Sequence, residues 1–301
     1  MPGILLATKG EAASDAAASI AARLASQKNT ILSAVCVVEP PLVVDGGFAA
    51  WYVPTLEENE AVHLSLRAAV SAQLRRCDAS AQVHVQVQVR TGPPASEIAS
   101  AARETGAEII VLGLGRHDFL DRALGDETAL QLVQQAVTPV LAVPPGMTAM
   151  PRRAVVAIDF SPTSIASAKA CAQWLVKGGT IHLVYVAGEW HGGYPAEQRA
   201  SAEGALAAIG QHLDAPQGTN VEQSVVEGET AEQLLKLAAN SGADVLVLGS
   251  HGYGLWKRLT IGSVASKIIR LSPTAVFVTP VGCLPPSGVA TTTDAARAAR
   301  N

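Results

Sequence analysis

Short unbroken apolar runs recur along the chain, separated by longer Ala-rich stretches whose apolar residues follow helical spacing. Ile4 to Ala7 is the first run, followed by an amphipathic stretch from Ala12 to Gln27 and a second run from Ile31 to Val38. After a loop and a further helical stretch come Val83 to Val89, a helix over Ala95 to Thr105, the run Ile109 to Leu112, one more helix, and Val140 to Val143. The second half follows the same order. Strands are expected over Val155 to Ile158, Ile181 to Ala187, Asn220 to Val226, Val245 to Leu248 and Ala275 to Val278. Helices are expected over Ser164 to Lys177, Ala231 to Ser241 and Val264 to Arg270, with another between the second and third strands. Apolar runs without alternation are covered on both faces, as in parallel sheets. Their alternation with helices gives βαβ units and doubly wound α/β domains.

The two halves are copies of one unit. Gly92, Gly106-Ala107 and Val111-Leu112-Gly113 recur as Gly228, Gly242-Ala243 and Val247-Leu248-Gly249, all at an offset of 136 residues. Ile4 to Thr8 matches Val155 to Asp159 at an offset of 151, and Thr30-Ile31 matches Thr180-Ile181 at 150. The first half therefore carries extra residues near 39–62. Pro144-Pro145-Gly146 through Pro151 reads as a linker, which divides the chain into domains 1–146 and 151–281. Residues 283–301, rich in Pro, Ser, Thr and Ala, read as a flexible tail.

Composition narrows the function classes. The 301 residues are 49% hydrophobic, 16% charged and 4% aromatic, enough for sizeable cores built from Ala, Val, Leu and Ile. The net charge is -4, and basic residues run no further than pairs such as Arg75-Arg76, which argues against nucleic-acid binding. No apolar stretch approaches the ~20 residues of a membrane span, and the N-terminus lacks the basic start of a secretory signal. Four scattered cysteines (Cys36, Cys77, Cys171, Cys283) read as free thiols in a reducing cytoplasm.

In open α/β sheets, ligands sit beyond the carboxyl ends of the strands, at the point where strand order reverses. That directs attention to the residues after Ile158 and Leu248. Residues 249–263 begin where the apolar strand stops and run into a helix. Glycines there let the backbone approach a ligand, and Gly262-Ser263 opens a helix whose unpaired N–H groups form an anion site. Ser263 is placed to cap that helix or to give its hydroxyl to a phosphate. Lys257 and Arg258 add positive charge, whereas His251, without a catalytic partner nearby, reads as a turn residue.

The pattern Gly249-x-x-Gly252, nine residues, then Gly262-Ser263 resembles the nucleotide-binding signature of the universal stress protein family. Ile158-Asp159-Phe160-Ser161 resembles that family's opening strand exit with its adenine-side aspartate, and Gly228 and Ser272-Pro273 fit the same template. The resemblance covers nearly all of residues 1–281. It implies two tandem doubly wound domains, Rossmann-like and adenine nucleotide alpha hydrolase-like, each a five-stranded parallel sheet of order 3-2-1-4-5 flanked by helices. It also implies pairing of the domains through their last strands, a cytoplasmic stress-response role, and ATP, with Mg²⁺, in the ATP-binding subset. Carried over, Asp159 meets the adenine and Val186 gives backbone contacts to the base. Gly249 lies beside the ribose and α-phosphate, and Gly252, Gly262, Ser263 and Val264 offer donors to the phosphates. For Asp159 the alternative is a helix cap, a place that Ser161-Pro162 fits better.

The first half departs from this template. Thr8 stands for Asp159, Arg116 for Gly252, Asp126 for Gly262 and Glu127 for Ser263; Gly113 alone is kept. Residues 113–127 carry a net charge of -2, and residues 249–263 carry +2. A carboxylate ~6 Å from a phosphate charge costs roughly 0.7–3 kcal/mol. The N-terminal copy is therefore expected to be degenerate and the chain to hold one ATP. The extra segment, Glu39 to Ala61, gathers Phe48, Trp51 and Tyr52 and reads as a loop folded over a domain, or as a partner surface.

Three functions compete. A binding module whose ATP state alters contacts with a protein partner leads. An enzyme is opposed by the absence of Asp or Glu from 249–263, which leaves slow ATP hydrolysis as the most the loop supports. A scaffold without nucleotide is the third. No Gly-x-Gly-x-x-Gly follows the first strand of either half, which excludes a dinucleotide site. A monomer, or a homodimer of such monomers, is expected.

Overall fold

The computed structural model describes residues 3–39, 42–45, 48–51, 55–77, 85–115, 119–190, 192–250 and 261–283. Gly252 and the expected tail beyond Cys283 lie outside the described residues. The chain forms two compact units, Met1–Thr138 with Ala142–Thr148, and Pro139–Leu141 with Ala149–Asn301.

The first half runs β1 (Gly3–Ala7), α1 (Asp15–Lys28), β2 (Leu32–Val38), β3 (Leu42–Asp45), β4 (Phe48–Trp51), α2 (Leu56–Cys77), β5 (Val85–Thr91), α3 (Pro94–Thr105), β6 (Ala107–Gly113), α4 (Phe119–Gln135) and β7 (Val140–Val143). Its main sheet has the order β5-β2-β1-β6-β7. The pairs β1–β2, β1–β6 and β2–β5 are parallel, with Ile4 opposite Leu32 and Leu5 opposite Ile110. The segment expected as a loop near 39–61 is instead largely regular. β3 and β4 form an antiparallel hairpin, with Leu42 opposite Trp51, and α2 starts at Leu56. Two short β-branched and aromatic runs around Gly46-Gly47 carry the hairpin signal.

The second half runs β8 (Arg153–Ala157), α5 (Pro162–Trp174), β9 (Thr180–Ala187), α6 (Ala196–Gln211), β10 (Asn220–Glu227), α7 (Thr230–Ser241), β11 (Val245–Gly249), α8 (Ser263–Leu271) and β12 (Ala275–Thr279). Its order is β10-β9-β8-β11-β12, again with parallel pairs. Both halves thus follow the 3-2-1-4-5 pattern. The repeat extends to detail: α3 and α7 end on Gly106 and Gly242, left-handed caps at φ 63° and 62°.

Each core lies where the apolar runs placed it. Every residue of β1, β7 and β12 is buried. Helix α5 stops at Trp174, three residues before the expected Lys177, because Leu175 turns extended at φ -62°, ψ 147°. The turn seats Trp174 in the core against Phe277, ring centroids 5.2 Å apart. Among the described residues no helix is long and apolar enough to cross a membrane.

Candidate functional site

The carboxyl ends of β8, β9 and β11 and the start of α8 bring the described candidates of the second half to one end of its sheet. After β8 the chain makes a tight turn. The Ser161 N–H donates to Asp159 Oδ1 at 3.0 Å, and the Ser164 N–H donates to Ser161 Oγ at 3.2 Å. Ser161 is thus the cap of α5, with Pro162 at its first turn. Asp159 braces the turn ahead of the helix and is not the cap.

Between them Phe160 adopts φ 62°, a left-handed conformation rare for a bulky side chain. Its ring compensates by packing. It is buried against Tyr185 of β9 at 5.0 Å, and the aromatic contacts continue to Tyr194 at 6.4 Å and on to Trp190 at 5.7 Å. Glu227 holds this assembly, accepting from the Tyr194 N–H and from Arg199. Val186 follows Tyr185 in β9, half-buried and in register with Val226. Nothing in the string Asp-Phe-Ser-Pro signals the conformation of Phe160.

At the end of β11, Gly249 is a packing requirement in its own right. A Cβ there would lie 2.9 Å from both Cβ and Oγ1 of Thr163 and 3.1 Å from the Ser164 N. The next residue, Ser250, is buried and ties three segments together. Its N–H donates to the Thr279 carbonyl at 3.0 Å and its carbonyl accepts from the Gly262 N–H at 2.9 Å. Its Oγ accepts from the Val281 N–H at 3.2 Å. The two ends of the 251–261 segment are therefore joined by a main-chain hydrogen bond.

Two expectations change at α8. Gly262, not Ser263, is the cap residue, at φ -60° and ψ 147°, and no side chain caps the helix. The N–H of Gly262 is taken by Ser250, so Gly262 places the helix mouth and does not need glycine's left-handed freedom. The donors at the mouth are the N–H groups of Ser263, Val264 and Ala265, which precede the first intrahelical bond, from the Ser266 N–H to the Gly262 carbonyl. Ser263 is exposed and Val264 half-buried. No acidic residue lies in the first turn of α8, and Lys267 one turn on pairs with Glu229, the cap of α7, at 3.0 Å. That ion pair and the capped N–H groups hold the Glu229 carboxyl below its usual range.

The corresponding end of the first half is closed by its own residues. Thr8, which replaces Asp159, is buried and donates to Oε1 of Gln73 at 2.8 Å. Gln73 comes from α2, is fully buried, and donates in turn to the Glu11 carbonyl, Ser14 Oγ and Asp15 Oδ1. Gly10, at φ 83°, lets α2 approach so closely that a Cβ would lie 2.8 Å from the Ala69 carbonyl carbon. The helix mouth is also displaced. Asp126 and Glu127 lie inside α4, which starts at Phe119, whereas Gly262 and Ser263 open α8. The expected repulsion at a helix mouth thus falls on a place where no helix begins. Arg116 lies outside the described residues.

Among the described residues no cluster of His, Cys, Asp and Glu is arranged to hold a metal ion. None of the four cysteines is in a disulfide. Burial pushes Cys171 up to about 12, which makes it a packing residue and not a nucleophile.

Comparison with known proteins agrees with the fold and the duplication. A universal stress protein of Mycolicibacterium smegmatis is 28% identical over 294 residues, covering 92% of this chain and 96% of that protein. The universal stress protein Rv2005c of Mycobacterium tuberculosis is 25% identical over 297 residues, with coverage of 92% and 96%. Among solved structures, a universal stress protein from Archaeoglobus fulgidus superposes with a TM-score of 0.65 at 20% identity, covering 92% of this chain and 96% of that one. The description of the universal stress protein family matches the sequence twice, over residues 2–144 and 150–280. The chain belongs to the universal stress protein family, as a tandem of two such domains.

Proposed function

We propose that the second half binds one ATP, with Mg²⁺, and that its occupancy changes how the chain meets a protein partner. The observation that carries this reading is the hydrogen bond from the Gly262 N–H to the Ser250 carbonyl, 2.9 Å. It brings the strand exit and the helix mouth together, so that a nucleotide's two ends have matching surroundings. Asp159 and the Val186 backbone lie on the base side; the N–H groups of Ser263 and Val264 and the Ser263 hydroxyl serve the phosphates. Gly249 leaves the strand exit without a side chain, and Gly252 completes the signature. The residues present fit such a group. The helix mouth carries no carboxylate, and the Thr279 hydroxyl, buried beside Gly249, has no hydrogen-bond partner among the described residues.

When bound, ATP supplies negative charge and a hydrolysable anhydride. The chain's own residues bind and orient it. Segment 249–263 contains no Asp or Glu to activate water, which supports a binding module over an efficient hydrolase. Four cysteines without a disulfide are in keeping with a cytoplasmic setting.

Calorimetric titration of the full chain with ATP and Mg²⁺ tests the reading. One site per chain is expected, and Ser263→Glu should remove it by placing a carboxylate at the helix mouth. Absence of binding, or two equivalent sites, would refute it.

A further inference from the structure

The first half closes one site and leaves another open. Ala16, Ser19 and Arg23 succeed one another at intervals of three and four residues, the spacing of one face of α1, and Ala12 lies in the 3-10 turn just before that helix. Together with the end of α2 and residues 145–148 they line a cleft of about 600 Å³ that lies wholly within the first unit. Small-molecule sites fall in the range of roughly 300–1,000 Å³.

The charges of the cleft do not cancel. Asp15 Oδ1 accepts from Gln73 Nε2 at 2.9 Å and from Arg76 Nη2 at 3.1 Å, so Arg76 already matches its charge. Arg23 is exposed on the same lining and makes no ion pair among the described residues. One positive charge is left over. It stands on a wall where Ala12, Ala16 and Met147 give an apolar patch and Ser19 and Thr148 add hydroxyls.

We propose that this cleft binds a small monoanionic amphiphile, a carboxylate head on an apolar body, with Arg23 taking the head and the alanine face and Met147 taking the body. A planar guanidinium fork matches a carboxylate in shape. A single negative charge balances the lining, whereas a phosphate dianion would leave one charge over. The inference does not depend on nucleotide binding in the second half.

Calorimetry on the full chain with octanoate, octanol and octyl phosphate tests it. Octanoate should bind one site, with octanol at least about tenfold weaker, because the neutral head forfeits a charged hydrogen bond. Arg23→Gln should weaken octanoate roughly tenfold to a hundredfold, and Ala16→Phe should abolish binding by filling the cleft. Both variants should keep the parent's circular dichroism and its ATP titration. The proposal is overturned if octanoate shows no saturable binding or if octanol binds equally well. It is equally overturned if Arg23→Gln binds octanoate like the parent, or if octyl phosphate binds at least tenfold more tightly than octanoate.

Discussion

Gly249 and Gly113 occupy the same place in the two copies, so one substitution made twice measures the packing of each strand exit. In the second half a new Cβ would meet Thr163 Cβ and Oγ1 at 2.9 Å and the Ser164 N at 3.1 Å. In the first half its nearest neighbours are Ser14 Cα and Cβ, both at 3.3 Å. Rotation about χ1 moves the Thr163 hydroxyl but not its Cβ, and the Ser164 N belongs to the capped first turn of α5. Relief therefore requires β11 and α5 to separate. Overpacking of this kind costs about 1–3 kcal/mol, which for a domain of this size lowers the melting temperature by roughly 2–12 °C. Gly113→Ala has to move its neighbour by only a few tenths of an ångström and should fall at or below the lower end of that range. Thermal unfolding, followed by circular dichroism and by tryptophan fluorescence, separates the two. Gly249→Ala melting with the parent, or no earlier than Gly113→Ala, would refute the packing argument.

Three further outcomes follow from the second half. Phe160 at φ 62° inverts an ordinary ranking: Phe160→Gly should be more stable than Phe160→Ala by about 1 kcal/mol in urea unfolding, since alanine keeps the left-handed penalty. Burial holds His182, 2.8 Å from Ser224 Oγ and flanked by Glu222 and Arg153, below its ordinary 6.5. The unfolded chain then protonates first, so the contribution of His182 to stability is level above about pH 6.5 and declines below it; His182→Gln should remove that part of the decline in a pH series of melting temperatures. Cys171, fully buried and raised to about 12, should resist a thiol reagent in the native protein and react on unfolding.

The α/β order and the duplication were legible because they rest on periodicity and on glycines that recur at fixed offsets. The strand exits were legible to within a residue: β11 ends on Gly249, one past the expected Leu248, and α8 begins at Ser263, one before the expected Val264. What escaped depends on contacts distant in sequence. Gln73 reaches Thr8 across 65 positions, and no local pattern announces a glutamine that fills its own domain's strand exit. Ser250 reads as a spacer between two glycines, yet its carbonyl and hydroxyl join three chain segments. The left-handed Phe160 is equally silent, since its conformation is held by Tyr185 and by the Asp159 carboxylate, not by its own preference.

The divergence of the two copies turns on where a helix starts more than on charge. Acidic residues at 126 and 127 repel phosphates only if a helix mouth presents them, and α4 has already begun at Phe119. Eight residues of helix, ~12 Å of rise, separate that start from Glu127. The N–H groups at 126 and 127 are then spent on carbonyls four residues earlier, as in any helix interior. At the other end of the site, Thr8 is held by Gln73 and Gly10 is covered by α2. Restoring glycine and serine at 126 and 127 alone is therefore not expected to recreate a helix mouth there. The double variant Asp126→Gly, Glu127→Ser removes both carboxylates yet should leave the chain with a single ATP site in calorimetry. A second site of comparable affinity would mean that charge, and not the position of the helix start, had silenced the first copy.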